Sequence, residues 1–119
     1  MTHTLYGIPN CDTVKKACVW LDQHGVAFVF HDYKKAGIDR ARLEGWVAEH
    51  GWQTVLNRAG TTFRSLPEAD KADLTADKAV TLMLAQPSMI KRPVLDLGER
   101  RLVGFDAAAW AAEGLARRA

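Results

Sequence analysis

Cys11 is the residue of this chain best placed for nucleophilic chemistry. It stands between a predicted strand, residues 4–8, and a helix predicted to begin at Asp12, with Pro9 and Asn10 marking an exposed loop. The first amides of a helix lack intrahelical partners, and the helix dipole is positive at that end. A thiol there ionises more readily than a free one, and the thiolate is the nucleophile. Asp12 opposes this effect by charge repulsion, and a small residue in a tight turn is the structural alternative.

Cys18 is predicted to have a different role. It lies on the apolar stripe of the same helix, with Val14, Ala17 and Leu21. At about 1.5 Å per residue it stands roughly 10 Å from Cys11 along the helix axis, beyond the reach of a disulfide. An unoxidised cysteine in such a stripe behaves as a small hydrophobic residue. We therefore predict that Cys18 belongs to the core.

Zinc binding is the competing interpretation of the cysteines and histidines. His24, His31 and His50 form no H-x₃₋₅-H pair, and the cysteines form no C-x₂₋₄-C pair. We expect no metal and no resident cofactor, and interpret the histidines as surface or half-buried polar groups.

Arg92 is the cation predicted to act with Cys11. It precedes Pro93 at the start of a predicted β-hairpin, and an X–Pro step leading into a strand is extended at X. If the sheet pairs the first and third strands, Arg92 lies near Cys11. A guanidinium there stabilises a thiolate and binds an anionic substrate in bidentate fashion. From the residues alone, a surface arginine before a hairpin is an equal alternative.

Hydrophobic periodicity predicts the elements that hold these residues. The first helix, ended by Gly25, connects the strands at residues 4–8 and 26–30, which a βαβ unit makes parallel neighbours. In the middle, Asp39 caps a helix that closes at Gly51, a loop follows at residues 60–62, and Thr75 caps a helix that ends at Pro87. Strands at 94–97 and 101–105 form the hairpin, and Asp106 caps a last helix over 107–117 in which Trp110 and Leu115 face inward.

This order of elements predicts an α/β fold with a mixed sheet. We expect one domain over residues 1–119, with a helical insertion at about 36–88 between the second and third strands. A net charge of +2 is too small to indicate nucleic-acid binding. The N-terminus shows no signal peptide, no apolar run is long enough to cross a bilayer, and two cysteines form no disulfide framework. We expect a cytoplasmic monomer with no membrane contact.

Three segments resemble a known family. Residues 6–17 (YGIPNCDTVKKA), 60–66 (GTTFRSL) and 90–95 (IKRPVL) are similar to the arsenate reductase (glutathione/glutaredoxin type) and Spx family, and most similar to its YffB-like branch. The likeness covers residues 4–105. It implies a thioredoxin-like fold, Cys11 as the catalytic nucleophile and a cis Pro93 beside it.

The resemblance also separates the activities known in this family. In the arsenate reductases three arginines bind the oxyanion, and only Arg92 carries over. The first position falls at or next to Asn57, with Arg58 displaced by one place, and the third falls near Gly104. Spx-like regulators of RNA polymerase sense redox state with a C-x-x-C pair, whose second position here is Val14. Arsenate reduction and redox-sensing regulation are therefore both disfavoured.

The YffB-like branch implies a glutathione-dependent thiol reductase that acts through a single cysteine. We predict that the Cys11 thiolate attacks a glutathione mixed disulfide and that glutathione, as co-substrate, resolves the product, with glutaredoxin as a further partner. Arg92 binds the anionic partner, and the backbone at Pro93 aligns its cysteinyl portion. Arsenate reduction and a non-catalytic Spx-like regulator are the alternatives. Further candidates for binding glutathione are Asn10, Lys15, Arg58 and Arg64.

Overall fold

The centre of the fold is a four-stranded mixed sheet in the order β2-β1-β3-β4. The computed structural model describes residues 3–113. β1 pairs in parallel with β2, whereas the β1–β3 and β3–β4 pairs are antiparallel. This confirms the predicted βαβ unit and the C-terminal hairpin. The strands are β1 (His3–Gly7), β2 (Phe28–Asp32), β3 (Val94–Asp96) and β4 (Arg101–Val103).

The described residues form two compact units. The sheet unit holds residues 3–33 and 92–113, and the helical unit holds residues 34–91, which contains the insertion expected at about 36–88. That the whole chain is one domain stays a prediction. The helices are α1 (Asp12–Gln23), α2 (Tyr33–Ala36), α3 (Arg40–His50), α4 (Trp52–Val55), α5 (Thr61–Arg64), α6 (Glu68–Lys71), α7 (Ala76–Ala85), the 3₁₀ turn Pro87–Met89 and α8 (Ala107–Ala112). Among the described residues, none of these helices has the length and apolar character that crossing a bilayer requires.

Side-chain caps set the starts of three helices, as predicted. Asp39 accepts a hydrogen bond from the Arg42 amide at the start of α3, and Thr75 accepts one from the Lys78 amide at the start of α7. Asp106 accepts from two amides at the start of α8. Each cap satisfies amides that have no partner within the helix. The predicted continuation of α8 to residue 117, with Leu115, extends outside the described residues.

Two predictions about the elements were wrong. β2 begins at Phe28 rather than at Val26, because the Val26 amide donates to the Leu21 carbonyl at 2.9 Å and so closes α1. The loop predicted at residues 60–62 contains the N-cap and the first two residues of the short helix α5, and the short helix α4 was not predicted. Four-residue helices leave almost no hydrophobic period in the sequence, so periodicity does not detect them.

A hydrophobic cluster between α1, the sheet and α8 supports the sheet unit. Trp20 belongs to it, although the predicted stripe of α1 omitted this residue. The rings of Trp20 and Trp110 meet edge to face at 5.8 Å, a favoured arrangement of aromatic pairs. The buried members are Leu5, Ala17, Trp20, Leu21, Leu95, Leu97 and Trp110.

Gly7 allows the end of β1 to approach the start of α1 closely. A β-carbon at this position would lie 3.0 Å from Val14 Cγ2, and Val14 is itself only 1% exposed. We expect Gly7→Ala to lower the free energy of unfolding by about 1–3 kcal/mol, because the buried Val14 side chain has little room to move. Urea denaturation measures this change.

Gly45→Ala is the matched control for Gly7→Ala. Gly45 lies inside α3, and a β-carbon there meets no atom within 4 Å. It should raise stability by about 0.5–1 kcal/mol, because alanine favours the helix. Equal effects of the two substitutions would contradict the close approach at Gly7.

Candidate thiol site

The site begins at the N-terminus of α1, where Cys11 is the N-cap residue. Its backbone is extended (φ −145°, ψ 122°), and its carbonyl accepts the first helical bond from the Lys15 amide at 2.9 Å. The Cys11 side chain is half-buried and makes no capping hydrogen bond with the described residues of α1. The helix therefore acts on the sulfur through its dipole rather than through a specific amide contact.

The register of the sheet brings three chain segments to one edge. Gly7, the last residue of β1, pairs with Asp32, the last residue of β2, and Tyr6 pairs with Val94 at the start of β3. The loop that carries Cys11, the residue that follows β2 and the Arg92–Pro93 step all leave the sheet at this edge. The Arg92–Pro93 peptide bond is cis, as the family resemblance implies.

Tyr33 is the residue of this edge that sequence reasoning missed. It follows β2 directly and is completely buried, and the Arg92 guanidinium lies within hydrogen-bonding reach of its hydroxyl. Burial raises the pKa of the Tyr33 hydroxyl far above its ordinary value; the Arg92 charge opposes the rise, while Cys11 and Asp32 add to it. Both Arg92 and Cys11 therefore act electrostatically on one buried hydroxyl. In the sequence, Tyr33 is only an aromatic residue three positions after the predicted strand 26–30, and this pattern does not indicate a functional site.

Cys18 lies against the core cluster but is half-buried rather than fully buried. The prediction of a core position was wrong in degree, because Cys18 lies at the edge of the stripe whereas Trp20 and Leu21 occupy its centre. Burial, reinforced by the carboxylate of Asp22, raises the pKa of the Cys18 thiol above its ordinary value. At neutral pH this thiol stays protonated and is a poor nucleophile.

Pro93 is buried, whereas the other predicted binding residues apart from Arg92 are exposed. Asn10 lies in the loop before Cys11, and Lys15 lies on α1 beside Trp20 and Phe105, with which it lines an apolar groove of about 440 Å³. Arg64 lies on α5 in the helical unit.

Arg58 belongs to a groove in the helical unit. Its guanidinium carbon lies 5.4 Å from the centre of the Trp52 ring, a cation–π distance. The groove has a volume of about 620 Å³ and contains a second cation, Lys91, which directly precedes Arg92 in the chain. Two cations in one groove attract carboxylates.

The histidines have local partners. His24 Nδ1 lies 2.8 Å from the Trp20 carbonyl, the His31 ring lies 4.9 Å from that of Tyr6, and His50 pairs with Glu49. Over residues 3–113, no group of three or more His, Cys, Asp or Glu side chains has the arrangement needed to hold a metal ion.

Comparison with known proteins identifies the family. The sequence pattern of the ArsC family matches residues 6–112. The chain belongs to the ArsC family. The solved structure of a protein named YFFB (PA3664) is 70% identical, covers 92% of this chain and 96% of its own, and superposes with a TM-score of 0.90.

Two further relatives show the range of this family. An arsenate reductase (ArsC) related protein from Brucella melitensis is 52% identical, with 94% of this chain and 93% of that chain covered and a TM-score of 0.77. The global transcriptional regulator Spx of Streptococcus mutans is 27% identical over 105 residues, which are 87% of this chain and 76% of the regulator. The predicted family and its thioredoxin-like fold are confirmed.

Asn57 and Gly104 lie at or near two positions where the arsenate reductases have arginine. In this ArsC-family chain both residues have a local structural role. The Asn57 side chain accepts a hydrogen bond from the Ala59 amide at 3.2 Å, and a β-carbon at Gly60 would lie 2.9 Å from Asn57 Nδ2. Gly104 has a φ of +78°, a conformation that favours glycine. Its amide donates to the Pro93 carbonyl at 2.8 Å, so this glycine joins the hairpin to the cis proline.

Proposed function

We propose that this ArsC-family protein is a glutathione-dependent thiol reductase whose nucleophile is Cys11. The observation that carries the proposal is a partly exposed thiol at the N-cap of α1, at the same end of the sheet as Tyr33 and the half-buried Arg92. The helix dipole and a cation both favour a thiolate. The second cysteine is partly shielded and held in its protonated form, which supports resolution by an external thiol.

The proposed reaction is two successive thiol–disulfide exchanges. The Cys11 thiolate attacks the glutathione sulfur of a mixed disulfide, a Cys11–glutathione disulfide forms, and the substrate thiolate leaves and takes a proton from solvent. The thiolate of a second glutathione then attacks the glutathione sulfur of the Cys11 adduct. Oxidised glutathione leaves and the Cys11 thiolate is regenerated. The mixed disulfide is reduced to the substrate thiol, and its glutathionyl group ends in one disulfide with the single incoming glutathione.

In this proposal Arg92 has two functions. Its charge stabilises the Cys11 thiolate, and its guanidinium binds a carboxylate of the glutathione moiety. Pro93 fixes the backbone just before β3, where an extended cysteinyl segment pairs with that backbone in the manner of a short strand. Asn10 and Lys15 are proposed as weaker contacts, and Arg64 is a further candidate for attracting carboxylates.

Arg58 is proposed to attract the anionic substrate through its charge. We expect Arg58→Ala to raise the KM for the glutathione mixed disulfide roughly 2- to 5-fold, since exposed charges have modest effects, and to leave kcat unchanged. Steady-state kinetics at 50 and 300 mM salt measure this effect, which should shrink as salt rises. Arg42→Ala is the matched control, because it removes an exposed arginine whose partner is Asp39, the N-cap residue of α3. A larger effect of Arg42→Ala than of Arg58→Ala would contradict the assignment.

Arsenate reduction by the same cysteine is the less favoured activity. A dianion needs several charge-assisted contacts, each contributing about 1.5–3 kcal/mol. Of the three arginine positions only Arg92 carries a guanidinium, and Gly104 has a backbone conformation that favours glycine. These features support a disulfide substrate over an oxyanion.

A regulatory function is a second candidate because of the similarity to Spx. The position three residues after Cys11 holds Val14, which is 1% exposed and packs beneath Gly7. A cysteine pair at the start of α1 is therefore lacking, and a redox switch of that kind has no partner thiol there. This favours catalysis over sensing.

A comparison of two substrates and one binding partner tests the proposed function. Purified protein is assayed with a glutathionylated peptide plus glutathione, with arsenate plus glutathione and glutaredoxin, and for binding to RNA polymerase. Of the two substrates, we expect turnover only of the glutathionylated peptide in the presence of glutathione, and we expect no binding to RNA polymerase. Arsenate turnover that depends on Cys11 would favour the arsenate reductase activity. Stoichiometric polymerase binding that is unaffected by Cys11→Ser, without turnover, would favour the regulator.

A further inference from the structure

Tyr33 combines complete burial with a polar group, which requires a hydrogen-bonding partner inside the protein. Burial keeps the pKa of this hydroxyl far above neutrality, so the group stays a neutral phenol. A neutral phenol oxygen accepts a hydrogen bond, and the Arg92 guanidinium, which is only half-buried, lies within reach to donate one.

The two residues are fixed to different extents. Tyr33 directly follows β2, whose last residue Asp32 pairs with Gly7, and its side chain has no exposed surface. Arg92 precedes a three-residue strand and has a long side chain with several rotatable bonds. A contact between a fixed group and a flexible one restricts the flexible one.

We propose that Tyr33 is a positioning residue that holds the Arg92 guanidinium in place beside Cys11. The inference deepens the proposed function, because that function gives Arg92 its role towards the thiolate and the anionic substrate. Tyr33 itself takes no part in bond making or breaking. Its hydroxyl restricts where the positive charge of Arg92 lies.

Paired alkylation of Cys11 tests this proposal without glutathione. Iodoacetate is anionic and iodoacetamide is neutral, so the ratio of their rates on Cys11 reports the positive charge beside the sulfur. We expect Tyr33→Phe, which removes only the hydroxyl, to lower this ratio roughly 2- to 10-fold, the effect of one hydrogen bond. Arg92→Ala should lower it at least as much, and the double variant should match Arg92→Ala. A purely structural effect would change both rates equally.

Tyr6→Phe is the matched control, because Tyr6 is the other tyrosine of the sequence and is also buried. It should leave the ratio unchanged. An unchanged ratio in folded Tyr33→Phe, or an effect that adds to that of Arg92→Ala, would overturn the proposal.

A measurement on the unmodified protein covers the case in which Tyr33→Phe does not fold. In arginine-labelled protein, the side-chain Nε–H signal of Arg92, assigned with Arg92→Lys, should exchange slowly with solvent and show restricted rotation. Averaging equal to that of the exposed Arg64 would overturn the proposal. If glutathione turnover fails but the alkylation ratio behaves as stated, the proposed function is wrong and the positioning role of Tyr33 stands.

Discussion

Cys11→Ser is expected to lower glutathione-dependent turnover by roughly 10⁴-fold or more, as expected when a covalent nucleophile is removed. Serine preserves the size of the N-cap residue and is itself a favoured cap, so the start of α1 should be retained. The measurement is the rate of oxidised glutathione formation from a glutathionylated peptide. Mass spectrometry after mild treatment with oxidised glutathione should show one adduct on the unmodified protein and none on Cys11→Ser.

Cys18→Ser is the matched control for Cys11→Ser. Because burial and Asp22 keep the Cys18 thiol protonated at neutral pH, its removal should leave both turnover and the single adduct intact. In Cys11→Ser, alkylation of the remaining Cys18 should become rapid only at alkaline pH, above the ordinary pKa of a cysteine. A glutathione adduct on Cys18 at neutral pH, or turnover retained in Cys11→Ser, would refute the single-cysteine mechanism.

Arg92→Ala is expected to lower kcat/KM for the glutathione mixed disulfide by roughly 10- to 100-fold, the loss of one charge-assisted contact. Both proposed functions of the guanidinium disappear together, so kcat and KM should both change. Arg92→Lys should restore part of the activity, because a lysine keeps the charge but not the bidentate geometry. Steady-state kinetics should give kcat/KM values that fall from the unmodified protein to Arg92→Lys and then to Arg92→Ala.

Arg100→Ala is the control for Arg92→Ala. Arg100 belongs to the same sheet unit but pairs at the surface with Glu113, at 2.7 Å. It should leave kinetics unchanged. Thermal unfolding of each variant separates loss of fold from loss of function. Activity of folded Arg92→Ala equal to that of the unmodified protein would remove Arg92 from the mechanism.

Local chemistry explains why much of the fold was predictable. Asp39, Thr75 and Asp106 start helices because their side chains satisfy free amides, an effect confined to four neighbouring residues. The βαβ order requires parallel strands β1 and β2, which the register confirms. The position of Cys11 at the start of α1 follows from the same local pattern, so the candidate nucleophile was identifiable without a structure.

The surroundings of Cys11 depend on contacts between residues far apart in the chain. Arg92 and Tyr33 are separated by 59 positions in the sequence, and no local period predicts that the Arg92 guanidinium reaches the Tyr33 hydroxyl. The partial exposure of Cys18 likewise depends on how α1 packs against the sheet, where Trp20 takes the central position.

The sequence by itself determined the family, the order of the elements and the cysteine that can act. Only the tertiary structure decided which charges surround that cysteine and that a buried tyrosine joins them. Periodicity and capping depend on residues within about one or two helical turns, whereas the register of β1 with β3 joins segments from opposite ends of the chain.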